Sequence, residues 1–215
     1  MIDFEVYYNA FLETIYMTLL STFFVFILGL LLGILLYTTD EAGLKPNKYL
    51  YSILSIYTSI GRSIPFLILI VLLIPITRIL VGTILGPSAA IPALVIGATP
   101  FYARLVELAL NEKGKYLKET GLSFGAKPKA IITKILIPES KKSLVRGITV
   151  TSIAITGYTS IAGAIGAGGL GNLAYLYGYA RNQQDVTIIA TLLIIFIILT
   201  LQYIGDFVAK KISHI

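Results

Sequence analysis

Apolar residues in this chain come in long unbroken runs, and the charged residues are gathered between them. Residues 14–39 carry no charge, and apolar residues dominate again over 49–77, 88–103, 147–166 and 186–205. A helix rises 1.5 Å per residue and a bilayer core is about 30 Å thick, so roughly 20 apolar residues cross it. The pattern predicts an all-α, polytopic membrane protein. Five spans are expected, at about 13–38, 49–77, 88–108, 141–166 and 186–207, with one transmembrane domain over 1–215. No internal repeat, low-complexity linker or soluble domain stands out. The N-terminus has Asp3, Glu5 and Glu13 in place of a basic region, and no small-residue cleavage site follows the first run, so it is expected to be an uncleaved anchor.

Details inside the spans refine this picture. Gly29 and Gly33 have GxxxG spacing, which lets a second helix approach closely; glycine merely tolerated in a span is the alternative. In the second run, Arg62 and Arg78 stand about 24 Å apart on a straight helix, so each can reach an opposite interface. Residues 49–61 then either extend that span inward or lie in the interface, and Pro65 and Pro75 suggest a local bend. Arg104 and Glu107 can pair at i, i+3 where the third span continues as helix.

The polar stretch of 111–146 breaks the pattern. Residues 109–122 have helical periodicity, Gly121 and Gly125 interrupt it, and Pro128 reinforces the break. Pro138 and Glu139 look like a new helix start, since proline at a first helical position loses no hydrogen bond and glutamate suits the dipole. The expected loop is a short helix, a glycine turn and a second short helix at 128–136, leading into the fourth span. Such a segment suits docking in a partner's groove, and a solvated basic loop is the plainer alternative.

Charge then sets the topology. Lys113, Lys115, Lys118, Lys127, Lys129, Lys134, Lys141, Lys142 and Arg146 occupy the polar stretch, Lys45 and Lys48 the first loop, and Lys210 and Lys211 the tail. With five spans these share one side, opposite Arg78 and Arg181, which puts the N-terminus outside and the C-terminus in the cytoplasm. Composition agrees with a membrane protein: 215 residues are 56% hydrophobic and 13% charged, about half the charged share of a soluble domain, with a mean hydropathy of +0.86. The net charge of +6 fits cytoplasmic loops; there is no basic, aromatic-lined groove for nucleic acid.

Several chemistries are excluded or disfavoured. There is no cysteine, so disulfides and thiolate sites are absent. His214, the single histidine, sits in the tail, where a dangling side chain is expected. Gly166, Gly168 and Gly171 spell GxGxxG, but no strand precedes them and the nearest acid is Asp185, so a flexible, closely packed outer turn is the better account. Residues 121–127 lack P-loop spacing, so no ATP site is recognisable. Tyr175, Tyr177 and Tyr179, with Tyr158 nearby, suit an interfacial aromatic belt, or else a substrate path. Ion-coupled secondary transport calls for charges near span centres, and the first, fourth and fifth spans have none.

Glu119-Thr120-Gly121, Gly125 and Ile135-Leu136-Ile137-Pro138 resemble the EAA loop of ATP-binding-cassette importer permeases. Glu119, Gly125, Ile135 and Pro138 match in identity and spacing; Thr120 and Gly121 replace the two alanines, and Ile137 a leucine. The stretches 62–66 (RSIPF), 100–104 (PFYAR) with Glu107, 157–158 (GY), 163–171 (GAIGAGGLG) and 175–179 (YLYGY) resemble methionine importer permeases in particular.

The resemblance covers about 13–206 and implies a permease subunit in a bacterial inner membrane, importing L-methionine, with the D form left open. Another small amino acid or a short peptide is the alternative substrate. It implies a second copy of the chain, an ATPase dimer that holds the ATP and Mg2+, and an external methionine-binding protein. No cofactor or metal is expected in this chain. Glu119, Thr120, Gly121, Gly125, Ile135 and Pro138 are then expected in a cytoplasmic coupling loop at about 111–138, with Gly121 loosening its helix. Arg62, Ser63, Pro65, Tyr158 and Ser160 are expected along the path or its gate.

Overall fold

The computed structural model describes residues 3–212; His214 lies outside them. The chain is helical throughout, and no strand forms among the described residues. The order is α1 Phe4–Thr39, α2 Lys48–Ser63, α3 Phe66–Leu72, α4 Ile74–Val81, α5 Pro87–Ser123, α6 Pro128–Ala130, a π-helical turn π1 Ile131–Leu136, α7 Ile137–Ala162, π2 Gly163–Ala167, α8 Gly169–Leu173, π3 Ala174–Tyr179 and α9 Gln184–Ile212. Among the described residues four helices are long and apolar enough to cross a membrane, or five if the bent pair α2–α3 counts as one span.

The central helix is α5. It packs against α1 and α7, and 61% of its apolar window is buried, against 28% for α1 and 17% for α9. The most apolar helices are thus the least covered, as expected where lipid replaces water and packing favours small residues. The GxxxG spacing is used for close approach. A Cβ on Gly29 would stand 2.7 Å from Tyr102 Cδ1 of α5, and one on Gly33 2.7 Å from Val106 Cγ1. Met17, Val25, Leu94, Tyr102, Val106 and Ile155 form the core around this seam. Small polar residues line α1 against α7, where Thr18 and Thr156 hydroxyls meet at 3.5 Å, and most hydroxyls there donate to carbonyls of their own helix.

Four sequence expectations change. The 49–77 run is broken more sharply than by a local bend: Pro65 forces Ile64 to φ −79°, ψ 121°, and α2 turns 107° from α3. The Arg62–Arg78 separation along one helix therefore does not apply. A second break falls at Leu73, with Pro75 in the first turn of α4, as a bend at Pro75 requires. The helix at 109–122 is not separate from the third span, because α5 continues for 37 residues to Ser123 through Pro92 and Pro100. Nor does Pro138 start a helix. α6, π1 and α7 run on without a break, and the widened π turn before Pro138 eases the clash its ring would make with the carbonyl four residues back. The helix at the N-terminal end also begins earlier than 13, at Phe4.

Candidate functional site

The first site is the tip where α5 ends. The Phe124 N–H donates to the Thr120 carbonyl (3.2 Å), that of Gly125 to Leu122 (2.9 Å) and that of Ala126 to Gly121 (3.0 Å), closing the helix. Gly125 has φ +72° with open space where a Cβ would be, so glycine is needed here for conformation and not for room. The chain then reverses, and π1 lies back along α5. A Cβ on Gly121 would sit 2.9 Å from Ile131 Cγ1 and 3.6 Å from Ile135 Cδ1. Gly121 thus allows tight packing of the two arms. Thr120 donates its hydroxyl to the Tyr116 carbonyl (3.0 Å), and Glu119 is exposed. Ile131 and Leu136 are fully buried, and Ile135 and Pro138 partly so.

The tip is fixed to the rest of the chain at two points. Ser140 donates to the Ala109 carbonyl (3.2 Å), pinning the return arm to α5, and Lys118 Nζ donates to the Ala42 carbonyl (2.6 Å) in the α1–α2 loop. The inward face is therefore packed and the outward face open. On that open face stand Leu122, 47% exposed, and Phe124, 87% exposed. Reading the sequence missed both. The signal was a phenylalanine next to the turn glycine of an otherwise basic loop.

The second site lies at the α2–α3 bend. Arg62, Ile64, Phe66, Phe101 and Tyr158 line a cavity of about 90 Å³. The Phe66 and Tyr158 rings stack at 4.6 Å with 9° between planes, and Arg62 Nε donates to the Thr58 carbonyl (3.3 Å). The structure so brings Arg62 and Tyr158 together. Pro65 makes the bend itself, and Ser63 turns its hydroxyl to the Ser59 carbonyl (2.8 Å). Ser160 does not join them: two residues on from Tyr158 it falls on the far side of α7, with its backbone against Gly171. A cavity this small is well below the roughly 300–1,000 Å³ of a usual ligand site. One chain alone encloses no complete solute site there.

The glycine-rich segment is closely packed, as expected of it, and is held by residues that were not singled out for that role. Gly168 and Gly169 have φ of +80° and +77°. The Gly169 N–H donates to Glu13 Oε2 (2.6 Å) and the Leu170 N–H to Thr14 Oγ1 (2.9 Å), so two α1 side chains cap α8. The Gly86 N–H donates to the Gly166 carbonyl (2.9 Å), which ties the start of α5 to the same segment. Of the aromatic residues, Tyr175 stacks on Tyr179 at 5.8 Å and Arg181 covers the Tyr177 ring at 4.4 Å.

Residues 28–214 match the family described as binding-protein-dependent transport system inner membrane component. The chain belongs to this family. As an inner membrane component of a transport system it is a transport protein and not an enzyme. It is 54% identical over 212 residues to the methionine import system permease protein MetP of Bacillus subtilis, covering 99% of this chain and 96% of that one. It is 44% identical over 203 residues to the probable D-methionine transport system permease protein MetI of Pasteurella multocida, covering 94% of each. Among solved structures, a chain of the MetNI methionine ABC transporter in inward-facing conformations is 41% identical, with a TM-score of 0.94 over 96% of both chains. A chain of an amino acid ABC transporter, 21% identical with a TM-score of 0.72, shares the fold.

Proposed function

We propose that this chain is the membrane-spanning permease subunit of an ATP-driven methionine importer. Two copies pack around a central path, since five spans do not easily enclose a pore alone and the cavity at the α2–α3 bend, about 90 Å³, is too small for an amino acid site. An ATPase dimer in the cytoplasm binds ATP and Mg2+, and an external binding protein delivers methionine. The N-terminus faces outward and the C-terminus the cytoplasm, in a bacterial inner membrane crossed five times, with α2–α3 as the broken second span.

The observation that carries this reading is the coupling tip: a packed reversal with one left-handed glycine, presenting Glu119, Leu122 and Phe124 outward. A basic, partly apolar knob of this kind fits a cleft on a separate protein. The similarity to methionine permeases along nearly the whole chain points to the solute. When the ATPase dimer closes, the two tips are drawn together, and α5, one helix from tip to outer end, tilts the spans.

The test is ATP hydrolysis in liposomes by the chain purified with an ATPase and a binding protein. Methionine-loaded binding protein is expected to stimulate hydrolysis, and Gly125→Arg is expected to abolish that stimulation with membrane insertion intact. A stable complex indifferent to methionine would discard the solute. Failure to associate with any ATPase would remove the importer reading.

A further inference from the structure

The second helix is attached to the rest of the chain mainly through polar bonds. α2 is 16 residues long and buries only Thr58. Tyr49, Ile53, Ile56, Tyr57 and Ile60 all face outward. At its far end the Pro100 ring covers Gly61, where a Cβ would stand 2.7 Å from Cγ. Its middle is held by α5. Arg104 Nη2 donates to the Ser55 carbonyl (3.2 Å) and to Ser55 Oγ (2.5 Å), and Arg104 Nη1 donates to Glu107 Oε2 (2.7 Å). The Tyr51 hydroxyl donates to the other Glu107 oxygen (3.2 Å). Of the two ion pairs found among the described residues, this is the more enclosed one, with Glu107 buried and Arg104 part-buried; Lys113–Glu112 is exposed.

The position of this cluster matters. Sixteen residues beyond Glu107, and without a break, α5 ends at Ser123 of the coupling tip. Seven residues beyond Ser55, and without a break, α2 reaches Arg62 at the bend cavity. The charge pair lies within α5, and parting α2 from it would take Ser55 from the Arg104 guanidinium and Tyr51 from the Glu107 carboxylate; hydrogen bonds to charged groups out of water are costly to lose, so α2 follows the movement of α5. We propose that Arg104 and Glu107, with Ser55 and Tyr51, form a joint through which α5 carries movement of the coupling tip to Arg62 and the cavity. Arg104 is a positioning residue that acts through α2. The inference rests on the importer reading above.

Transport and hydrolysis are measured together in liposomes containing the complex with its ATPase and methionine-loaded binding protein. Wild-type complex that moves no methionine overturns the importer reading and the joint with it. Given a working wild type, Arg104→Ala is expected to keep ATP hydrolysis and to raise the ATP used per methionine moved roughly tenfold, the size of an ordinary coupling between sites. An unchanged ratio, with both rates falling together, overturns the joint. If Arg104→Ala does not fold, Tyr51→Phe and Ser55→Ala remove single bonds; a raised ratio supports the joint and an unchanged one overturns it. The chain has no cysteine, so Ile53→Cys and Leu108→Cys spin labels, in a minority of protomers, report the α2–α5 distance directly. It is expected to be equal in the ADP and ATP-trapped states. A distance that changes in wild type would show that α2 does not ride on α5.

Discussion

The chain leaves regular helix through left-handed glycines at both ends of α5. At the coupling end a single one, Gly125, makes the turn. At the other end are Gly82 and Gly86, before α5, and, tied to Gly86, three more within four residues after α7: Gly166, Gly168 and Gly169. The coupling tip is packed on one face and open on the other, with Phe124 and Glu119 outward. The outer segment is gripped by its own chain: Glu13 and Thr14 hold its amides, and Gly171 lies against the Ser160 backbone. One end is finished internally, and the other leaves Leu122 and Phe124 exposed, the surface proposed for docking. Substitutions at the outer end should therefore be felt in the stability of the chain, and those at the coupling end in its associations.

The largest loss of stability is expected at Gly171. A Cβ there would stand 2.8 Å from the Ser160 carbonyl carbon, and backbone cannot turn aside as a side chain can. Gly171→Val should cost at least the upper end of the about 1–3 kcal/mol typical of overpacking. The check is the thermal midpoint and the monodisperse yield of the detergent-purified chain. Wild-type behaviour would mean that α7 and α8 are not in contact. Glu13→Ala comes next. It leaves the Gly169 amide without its acceptor, at about 1–3 kcal/mol. Glu13→Gln keeps an oxygen there and should restore most of the midpoint. If alanine and glutamine behave alike, the hydrogen bond is not what holds α8.

Gly125→Ala is intermediate and probes the same backbone geometry without any crowding. An L-residue at φ +72° costs about 1–2 kcal/mol, and no neighbour obstructs the added methyl group. The chain should still insert and purify with a slightly lowered midpoint, while association with the ATPase weakens because the tip is displaced. A lowered midpoint with full association would place Gly125 with the outer glycines, as a structural residue only.

The two ends also differed in how far the sequence revealed them. The reversal after α5 was legible because its parts are neighbours in the chain: a helix period, Gly125, Pro128 and an apolar return arm, all within residues 109–136. Its joints were not. Pro138 has the chemistry of a helix start, yet the packing of Ile131 and Leu136 keeps one helix running through it. Pro65 was read as a local bend in one span, but its effect on Ile64 turned the chain by 107°. The cap on α8 was invisible, because Glu13 and Gly169 are 156 residues apart and only the fold brings them together. The Arg104–Glu107 pair was foreseen as local spacing, whereas its hold on Ser55 depends on where α2 lies.

Phe124→Ser should move chain stability least and separates the two ends most cleanly. The ring is 87% exposed, so its removal should change the stability of the chain by no more than about 0.5 kcal/mol. Exposed aromatic rings that fill a partner's pocket, however, carry a large share of binding energy, and loss of such an anchor weakens association roughly tenfold or more. The same purified variant should therefore melt like wild type and still bind its ATPase more weakly, measured by titration in nanodiscs. Glu13→Ala should show the reverse, a lower midpoint with ordinary ATPase affinity. Were both variants to change both quantities, the tip and the outer segment would have to be one cooperative unit, joined through α5. Were Phe124→Ser to change neither, the docking contact would belong to Glu119 and Leu122, and the phenylalanine would stand beyond the edge of the partner's cleft.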